Sequence, residues 1–353
     1  MRIISLIGAR PQFIKEAIIH QELKKAGITE ILVNSGQHYD ANMADVFFQD
    51  LEIKTPDYNL GVGSASHAEM TGKIIIEFEK IVLKEKPDWV LVYGDTNTTL
   101  AGSIVASKLK IPIAHIEAGV RMLPKDMPEE INRTLTDRIS KLLFCASMKC
   151  VNNLDSEGIR EGVHFTGDVM YDLFLMLKPK FKYDYNERYK LTPDSYAVLT
   201  LHRDYNVDNK DRLEGILSNI ATFAKETDVI FPMHPRTKKR VEDFGLKHLL
   251  KDIQVLEPID YLNLMGLVSS SRLVLTDSGG LQKEAYYANK PGLLFMDDPA
   301  WHELVEEGIN TLVKDRPLTE LARTLVSAKY PKNIYGKGTA SEEIVRILKS
   351  QDY

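Results

Sequence analysis

From its first residues the chain alternates short β-branched runs with longer stretches of helical spacing, and this alternation narrows the fold to a few architectures. Ile3 to Ile7 reads as a buried strand, after which Gly8-Ala9-Arg10-Pro11 turns into a helix. Pro11 suits a first helical turn, Ile14, Ala17 and Ile18 form an apolar stripe, and Gly27 ends it. Ile31 to Asn34, Trp89 to Tyr93, Ile111 to Ile116 and Leu142 to Cys145 continue the strands. Ile74, Ile75, Phe78, Ile81 and Val82 repeat at helical spacing until Pro87 stops them. Such repetition predicts a parallel sheet covered on both faces.

The pattern then pauses and restarts. Lys178-Pro179-Lys180-Phe181-Lys182-Tyr183 and Thr192-Pro193-Asp194 interrupt it, as a connector or surface excursion would. A second strand series follows: Ala197 to Leu201, Val229 to Met233, Ile253 to Leu256, Leu273 to Thr276 and Leu293 to Phe295. A chain of 353 residues is long for one core. The expectation is an α/β protein of two doubly wound, Rossmann-like domains facing a cleft, residues 1–167 and 168–339. Thr339-Ala340-Ser341-Glu342 opens a last amphipathic helix, about 340–353, whose return to the first domain the pattern alone leaves open.

Composition excludes several classes of function. A hydrophobic fraction of 44% with 27% charged residues is that of a soluble globular chain. The net charge of −5 argues against nucleic-acid or anionic-membrane partners. No apolar run approaches the roughly 20 residues of a bilayer span, and Met1-Arg2-Ile3-Ile4-Ser5-Leu6 enters a strand without a signal-peptide body. Cys145 and Cys150 lack CxxC or metal spacing, which points to a reduced cytoplasmic setting. His302-Glu303 continues as Leu304-Val305-Glu306, so the HExxH zinc pattern fails and no metal site is expected.

Chemistry-bearing residues gather at the ends of strand-like runs, where doubly wound domains bind ligands. Asp95, Glu117, Glu129 and Glu130 fall in or just after Tyr93-Gly94-Asp95-Thr96-Asn97, His115-Ile116-Glu117-Ala118-Gly119 and Pro128-Glu129-Glu130. Carboxylates grouped this way suit proton transfer, one held as an acid and another as a base. Asp95 would serve equally as a helix N-cap, and Glu129 and Glu130 as first-turn charges. Glu117 directly follows a strand and is harder to explain structurally. Thr276-Asp277-Ser278-Gly279-Gly280 opens a helix with small residues, so its free N–H groups form an anion pocket, and Glu284 lies one turn on. Arg10 and Lys15 could meet phosphate at the first turn, which is no GxGxxG. His202-Arg203 and His234-Pro235-Arg236 each end a strand of the second series.

Together these stretches resemble the non-hydrolysing UDP-N-acetylglucosamine 2-epimerase family, from Gly8-Ala9-Arg10-Pro11 through Gln37-His38-Tyr39 to Tyr335-Gly336-Lys337-Gly338. The most specific parts are Gly94-Asp95-Thr96, His115 to Gly119, Pro128-Glu129-Glu130-Ile131-Asn132-Arg133 and Thr276 to Gly280. The resemblance implies a glycosyltransferase-B type fold and inversion at C2 of a UDP-sugar by elimination and re-addition of UDP, without NAD or metal. It also implies a homodimer. The family's catalytic residues map onto Asp95, Glu117, Glu129 and His202, and its nucleotide-binding residues onto Arg10, Lys15, Ser278, Gly279, Gly280 and Glu284. His234 and Arg236 join the expected diphosphate contacts by position. Two places depart from the family. Met296-Asp297-Asp298-Pro299-Ala300-Trp301 replaces an Arg-Asp-x-Thr-Glu-Arg run, and Asp204-Tyr205-Asn206 follows Arg203 where Ala-Glu-Asn is usual. The Gln37-to-Met43 stretch lacks the pattern tied to activation by a second UDP-N-acetylglucosamine. It is closer to relatives that act on a diacetamido-uronic acid sugar nucleotide. A hydrolysing epimerase and a glycosyltransferase on the same scaffold are the competing readings.

Overall fold

The structure, a computed structural model, describes residues 1–36, 54–63, 65–299, 301–325 and 333–351. The Gln37-to-Met43 stretch and Ala300 lie outside the described residues. The chain divides into two compact units, Met1–Met176 with Asn333–Tyr353, and Leu177–Lys332.

In the first unit β1 (Arg2–Ile7), β2 (Thr29–Asn34), β3 (Tyr58–Asn59), β4 (Trp89–Tyr93), β5 (Ile113–Ile116), β6 (Leu142–Cys145) and β7 (Val163–Phe165) form one parallel sheet. Its order is β3-β2-β1-β4-β5-β6-β7. Every residue of β4 is buried, as a strand covered by helices on both faces requires. Ile4, Leu6, Val33, Phe78, Val90, Val92 and Val105 pack one face into a core, each fully buried side chain stabilising by about 1.5–3 kcal/mol relative to exposure. The strand order reverses between β1 and β4, where Leu6 pairs with Val92. At such a reversal two neighbouring crossovers leave in opposite directions and open a crevice beyond the strand ends.

The last helix, Ala340–Lys349, belongs to this unit and packs on the Arg10–Lys25 helix, with Lys349 Nζ 3.4 Å from the Ala26 carbonyl. Asp172 caps it from far away in sequence. Its carboxylate accepts from the Ala340 and Ser341 N–H groups at 3.1 and 2.7 Å and from Ser341 Oγ at 2.7 Å.

In the second unit β8 (Ala197–Thr200), β9 (Val229–Pro232), β10 (Gln254–Leu256), β11 (Leu273–Thr276), β12 (Gly292–Leu294) and β13 (Asn310–Leu312) form a parallel sheet ordered β10-β9-β8-β11-β12-β13. Leu199, Leu217, Phe223, Phe231, Leu275 and Leu293 build its core. The reversal falls between β8 and β11, where Thr200 pairs with Thr276 and their hydroxyls lie 2.7 Å apart. Two doubly wound parallel α/β units are the fold class expected.

Local differences have local causes. The strand expected from Ile111 begins at Ile113, because Lys110 adopts φ +61° and Pro112 has no N–H to pair. The short strands β3, β7 and β13 carry too few apolar residues to register as runs. The stretch after Leu177 is ordered: a 3-10 turn at Lys178–Lys180 precedes a helix at Asp184–Arg188, and Phe181 is buried.

Candidate functional site

Two strand-end clusters gather the candidate residues, one in each unit. In the first, Gln12 joins the two central strands. Its side-chain oxygen accepts from the Gly8 and Ala9 N–H groups at 2.8 and 3.0 Å, which caps the Arg10–Lys25 helix where Ala9 has no side chain to do so. Its amide donates to the Tyr93 carbonyl at 2.6 Å and approaches Thr99 Oγ1 at 3.0 Å. Gly8 must lack a side chain, since a Cβ there would sit 2.1 Å from Ser35 Oγ.

Asp95 lies just before Thr96, the N-cap of the Asn97–Lys108 helix. Its carboxylate is paired with Arg133, whose guanidinium also donates to Glu130 at 2.6 Å. Glu130 is buried and further accepts the Met122 N–H at 3.0 Å. Glu117 directly follows β5 with φ +70°, a left-handed conformation that costs a side-chain-bearing residue about 1–2 kcal/mol. Its N–H and that of Ala118 both donate to the Phe144 carbonyl at 3.1 Å, and its carboxylate is paired with Lys15. A Cβ built on Gly94 would lie 3.5 Å from Glu117 Oε2, so the turn carrying Asp95 runs beside that carboxylate. Glu129 stands exposed in the first turn of the Pro128–Ile139 helix. Arg10 is exposed, whereas Lys15 is buried against Glu117.

Beneath these groups is a buried network not singled out from sequence. His115, fully buried in β5, lies 2.7 Å from both Asp137 Oδ1 and the Gly94 carbonyl. The ring thus bridges the two, Nδ1 facing the Asp137 carboxylate and Nε2 the Gly94 carbonyl. Asp137 also takes Arg121 at 2.8 Å and the Gly119 N–H at 3.2 Å. Burial alone would raise the Asp137 carboxyl, yet His115 and Arg121 together hold it below the usual carboxylate range.

In the second unit Asp277, fully buried after β11, accepts the His202 and Arg203 N–H groups at 3.0 and 2.8 Å and Asn206 Nδ2 at 3.1 Å. His202 Nδ1 lies 3.3 Å from the same carboxylate, and its ring centroid is 5.9 Å from that of His234. Burial lowers the His202 imidazole from its ordinary value despite the pull of Asp277. His234 caps the Pro235–Asp243 helix, its Nδ1 accepting the Arg236 N–H at 3.2 Å. The Arg236 side chain turns to Asp208, which also takes Arg240 at 2.9 Å. Ser278 caps the Gly279–Tyr287 helix, and Gly280 is exposed at its start. Arg203, part of a strand-end pair in the sequence but not among the candidate residues, brings its guanidinium to 3.9 Å of a Cβ built on Gly279. Free N–H groups with an arginine at the same helix start have the chemistry to hold an anion. Half-buried Glu284 lies further along that helix, near Tyr261, whose phenol is raised by burial and by this carboxylate.

The departure near β12 also has a structural part. Trp301 donates its indole N–H to the Gly279 carbonyl at 2.9 Å and stacks under the Lys283 ammonium, 3.7 Å from its ring centroid. It thereby braces the helix start from behind.

The family model described as UDP-N-acetylglucosamine 2-epimerase matches residues 21–349. The chain is 44% identical to a UDP-N-acetylglucosamine 2-epimerase of Methanocaldococcus jannaschii over 99% of each chain. It is 42% identical, also over 99% of each, to a UDP-2,3-diacetamido-2,3-dideoxy-D-glucuronate 2-epimerase of Pseudomonas aeruginosa. The crystal structure of the Methanocaldococcus jannaschii enzyme in complex with UDP-GlcNAc and UDP superposes with a TM-score of 0.85 at 43% identity, covering 99% of this chain and all of that one.

Proposed function

Because this chain belongs to the UDP-N-acetylglucosamine 2-epimerase family, we propose that it inverts C2 of a UDP-linked 2-acetamido sugar by eliminating and re-adding UDP. The observation that carries this reading is Glu117, held in a strained backbone conformation beside the turn of Asp95. Strain of this kind persists where a side chain must be aimed.

A proton at C2 of a sugar is weakly acidic, so its removal has to be coupled to loss of the group at C1. One carboxylate among Asp95, Glu117 and Glu129 takes the C2 proton. The C–H electron pair forms the C1=C2 bond while the C1–O pair leaves with UDP. Another of the three returns a proton to the opposite face, and the UDP oxygen re-forms its bond to C1. Charge builds on the diphosphate as it leaves. The N-terminus of the Gly279–Tyr287 helix, Ser278 and Arg203 stabilise it there, with His202 supplying a neutral imidazole as donor. Lys15 and Arg133 act by holding Glu117 and Asp95, so Lys15 takes a positioning role in place of a phosphate contact. Arg10, exposed at the first turn, and Glu284 complete the nucleotide contacts. His234 contributes its free ring edge, and Arg236 acts through Asp208.

The two relatives of nearly equal identity are named for different sugars, so the test spans both. The protein is incubated in heavy water with UDP-2-acetamido sugars, with and without a C3 acetamido group and a C6 carboxylate. NMR should show deuterium entering C2 together with a second epimer, while UDP stays substoichiometric. Absence of exchange across the panel rejects the reading, and stoichiometric UDP release replaces it with a hydrolysing epimerase.

The protein acts in the cytoplasm, in keeping with its two buried cysteines, neither of which is in a disulfide. Among the described residues no helix is long and apolar enough to cross a membrane. It works as a homodimer. Ile131, Leu135 and Ile139, exposed at successive four-residue steps of one helix, offer an apolar stripe for a second copy. Sedimentation of a Leu135→Asp variant checks this, since an unchanged dimer would place the interface elsewhere.

A further inference from the structure

Apart from the strand-end carboxylates, the first unit buries a second cluster of titratable groups. Glu16 and His20 lie four residues apart on the Arg10–Lys25 helix and so share one of its faces. Glu30 of β2 meets them. Its carboxylate accepts from Ser5 Oγ of β1 and lies 2.5 Å from His20 Nδ1. One ligand atom from each of Glu16, His20 and Glu30 falls within 4.8 Å of the other two. Glu16 is fully buried, and neither of its oxygens meets a donor group, its close neighbour being the Glu30 carboxylate. The Tyr93 hydroxyl is likewise buried, beside Ser5 and near enough to feel both carboxylates.

Two carboxylates in a dry space need a positive partner. The nearby Lys54 ammonium gives its hydrogen bonds to the Glu30 carbonyl at 2.6 Å and to Asp57 at 2.7 Å, and none to Glu16.

We propose that Glu16, His20 and Glu30 bind one divalent transition-metal ion of the zinc type as a structural site. An imidazole with two carboxylates suits zinc better than magnesium or calcium, which favour all-oxygen shells. A doubly charged ion neutralises the two carboxylates and replaces the proton between His20 Nδ1 and Glu30. Zinc bound at about 2.0–2.2 Å brings its ligands to roughly 3–3.5 Å of one another, a contraction within the reach of rotamer adjustment. Such an ion fastens the helix that carries Lys15 to β2 and takes no part in the reaction.

The test uses the full chain, stripped with a chelator and titrated with Zn²⁺ and, as a spectroscopic probe, Co²⁺. One equivalent of Co²⁺ should bind with visible absorption from a nitrogen–oxygen shell, and Zn²⁺ should raise the unfolding midpoint. Glu16→Gln and His20→Gln should each weaken Co²⁺ binding by at least about tenfold, since even losing an outer-shell partner costs that much. No metal uptake, which leaves a carboxyl pair sharing a proton, overturns the proposal. So does uptake indifferent to both substitutions. Should the variants not fold, X-ray absorption of the zinc-loaded wild-type protein decides: one imidazole in an otherwise oxygen shell supports the site, and two or more reject it.

Discussion

The Asp277 carboxylate, fully buried at the end of β11, accepts the backbone N–H of His202 at the end of β8 at 3.0 Å. That bond, with those from Arg203 and Asn206, ties together the two strands where the sheet order reverses. Asp277→Asn keeps the volume but puts a donor where only donors arrive. It should destabilise the second unit by about 2–4 kcal/mol, the range for a buried, multiply bonded carboxylate losing its partners. Denaturant titration monitored on the second unit measures it.

His202 gives a pH signature of known sign. Burial lowers its folded pKa below the ordinary value of about 6.5. Folding therefore favours the neutral ring, and stability falls as pH drops below about 6.5 toward the folded pKa. Imidazole NMR should show a titration midpoint below that of an exposed histidine, and a midpoint at or above it would be incompatible with the packing seen.

Asp137 behaves oppositely. Its folded pKa is depressed by His115 and Arg121 against the effect of burial. Its contribution is fully present above the unfolded value, about 3.9, and is lost as pH falls through the folded pKa. Acid unfolding of the first unit should steepen below pH ~4, and Asp137→Asn should flatten that limb while lowering stability at neutral pH.

Glu117 separates backbone strain from chemistry. Both Glu117→Ala and Glu117→Gly strand Lys15 and should abolish C2 proton exchange. Only the glycine relieves the φ of +70°, so it should be the more stable of the two by about 1 kcal/mol. Equal stability would mean that the turn relaxes when the carboxylate is removed. Glu117→Gln should fold and lose at least about a thousandfold in exchange rate, as expected when a group acting directly on the proton is neutralised.

The strand ends were readable because β4 and β11 are wholly buried, and unbroken apolar runs mark such strands. That legibility carried Asp95, Glu117 and Ser278 with it, since each follows such a run. The edge strands β3, β7 and β13 were not readable, because two or three residues carry no period, whereas the edge strand β10 was read within Ile253 to Leu256. Pairing was equally hidden. His115 stands out as a polar residue inside β5, but its partner Asp137 is 22 residues on and reaches it only through the fold. The pairing of Arg236 with Asp208, 28 residues earlier, was hidden in the same way.

The Asp172 cap on the Ala340–Lys349 helix bears on how the molecule is made. The first unit is discontinuous, interrupted by the whole of the second, and its closing helix is synthesised after all of the second unit's strands. On the ribosome the second unit has all its strands while the first still shows the bare flank of the Arg10–Lys25 helix and an Asp172 with nothing to cap. The usual N-to-C order of domain completion is thus reversed: the half that starts first finishes last.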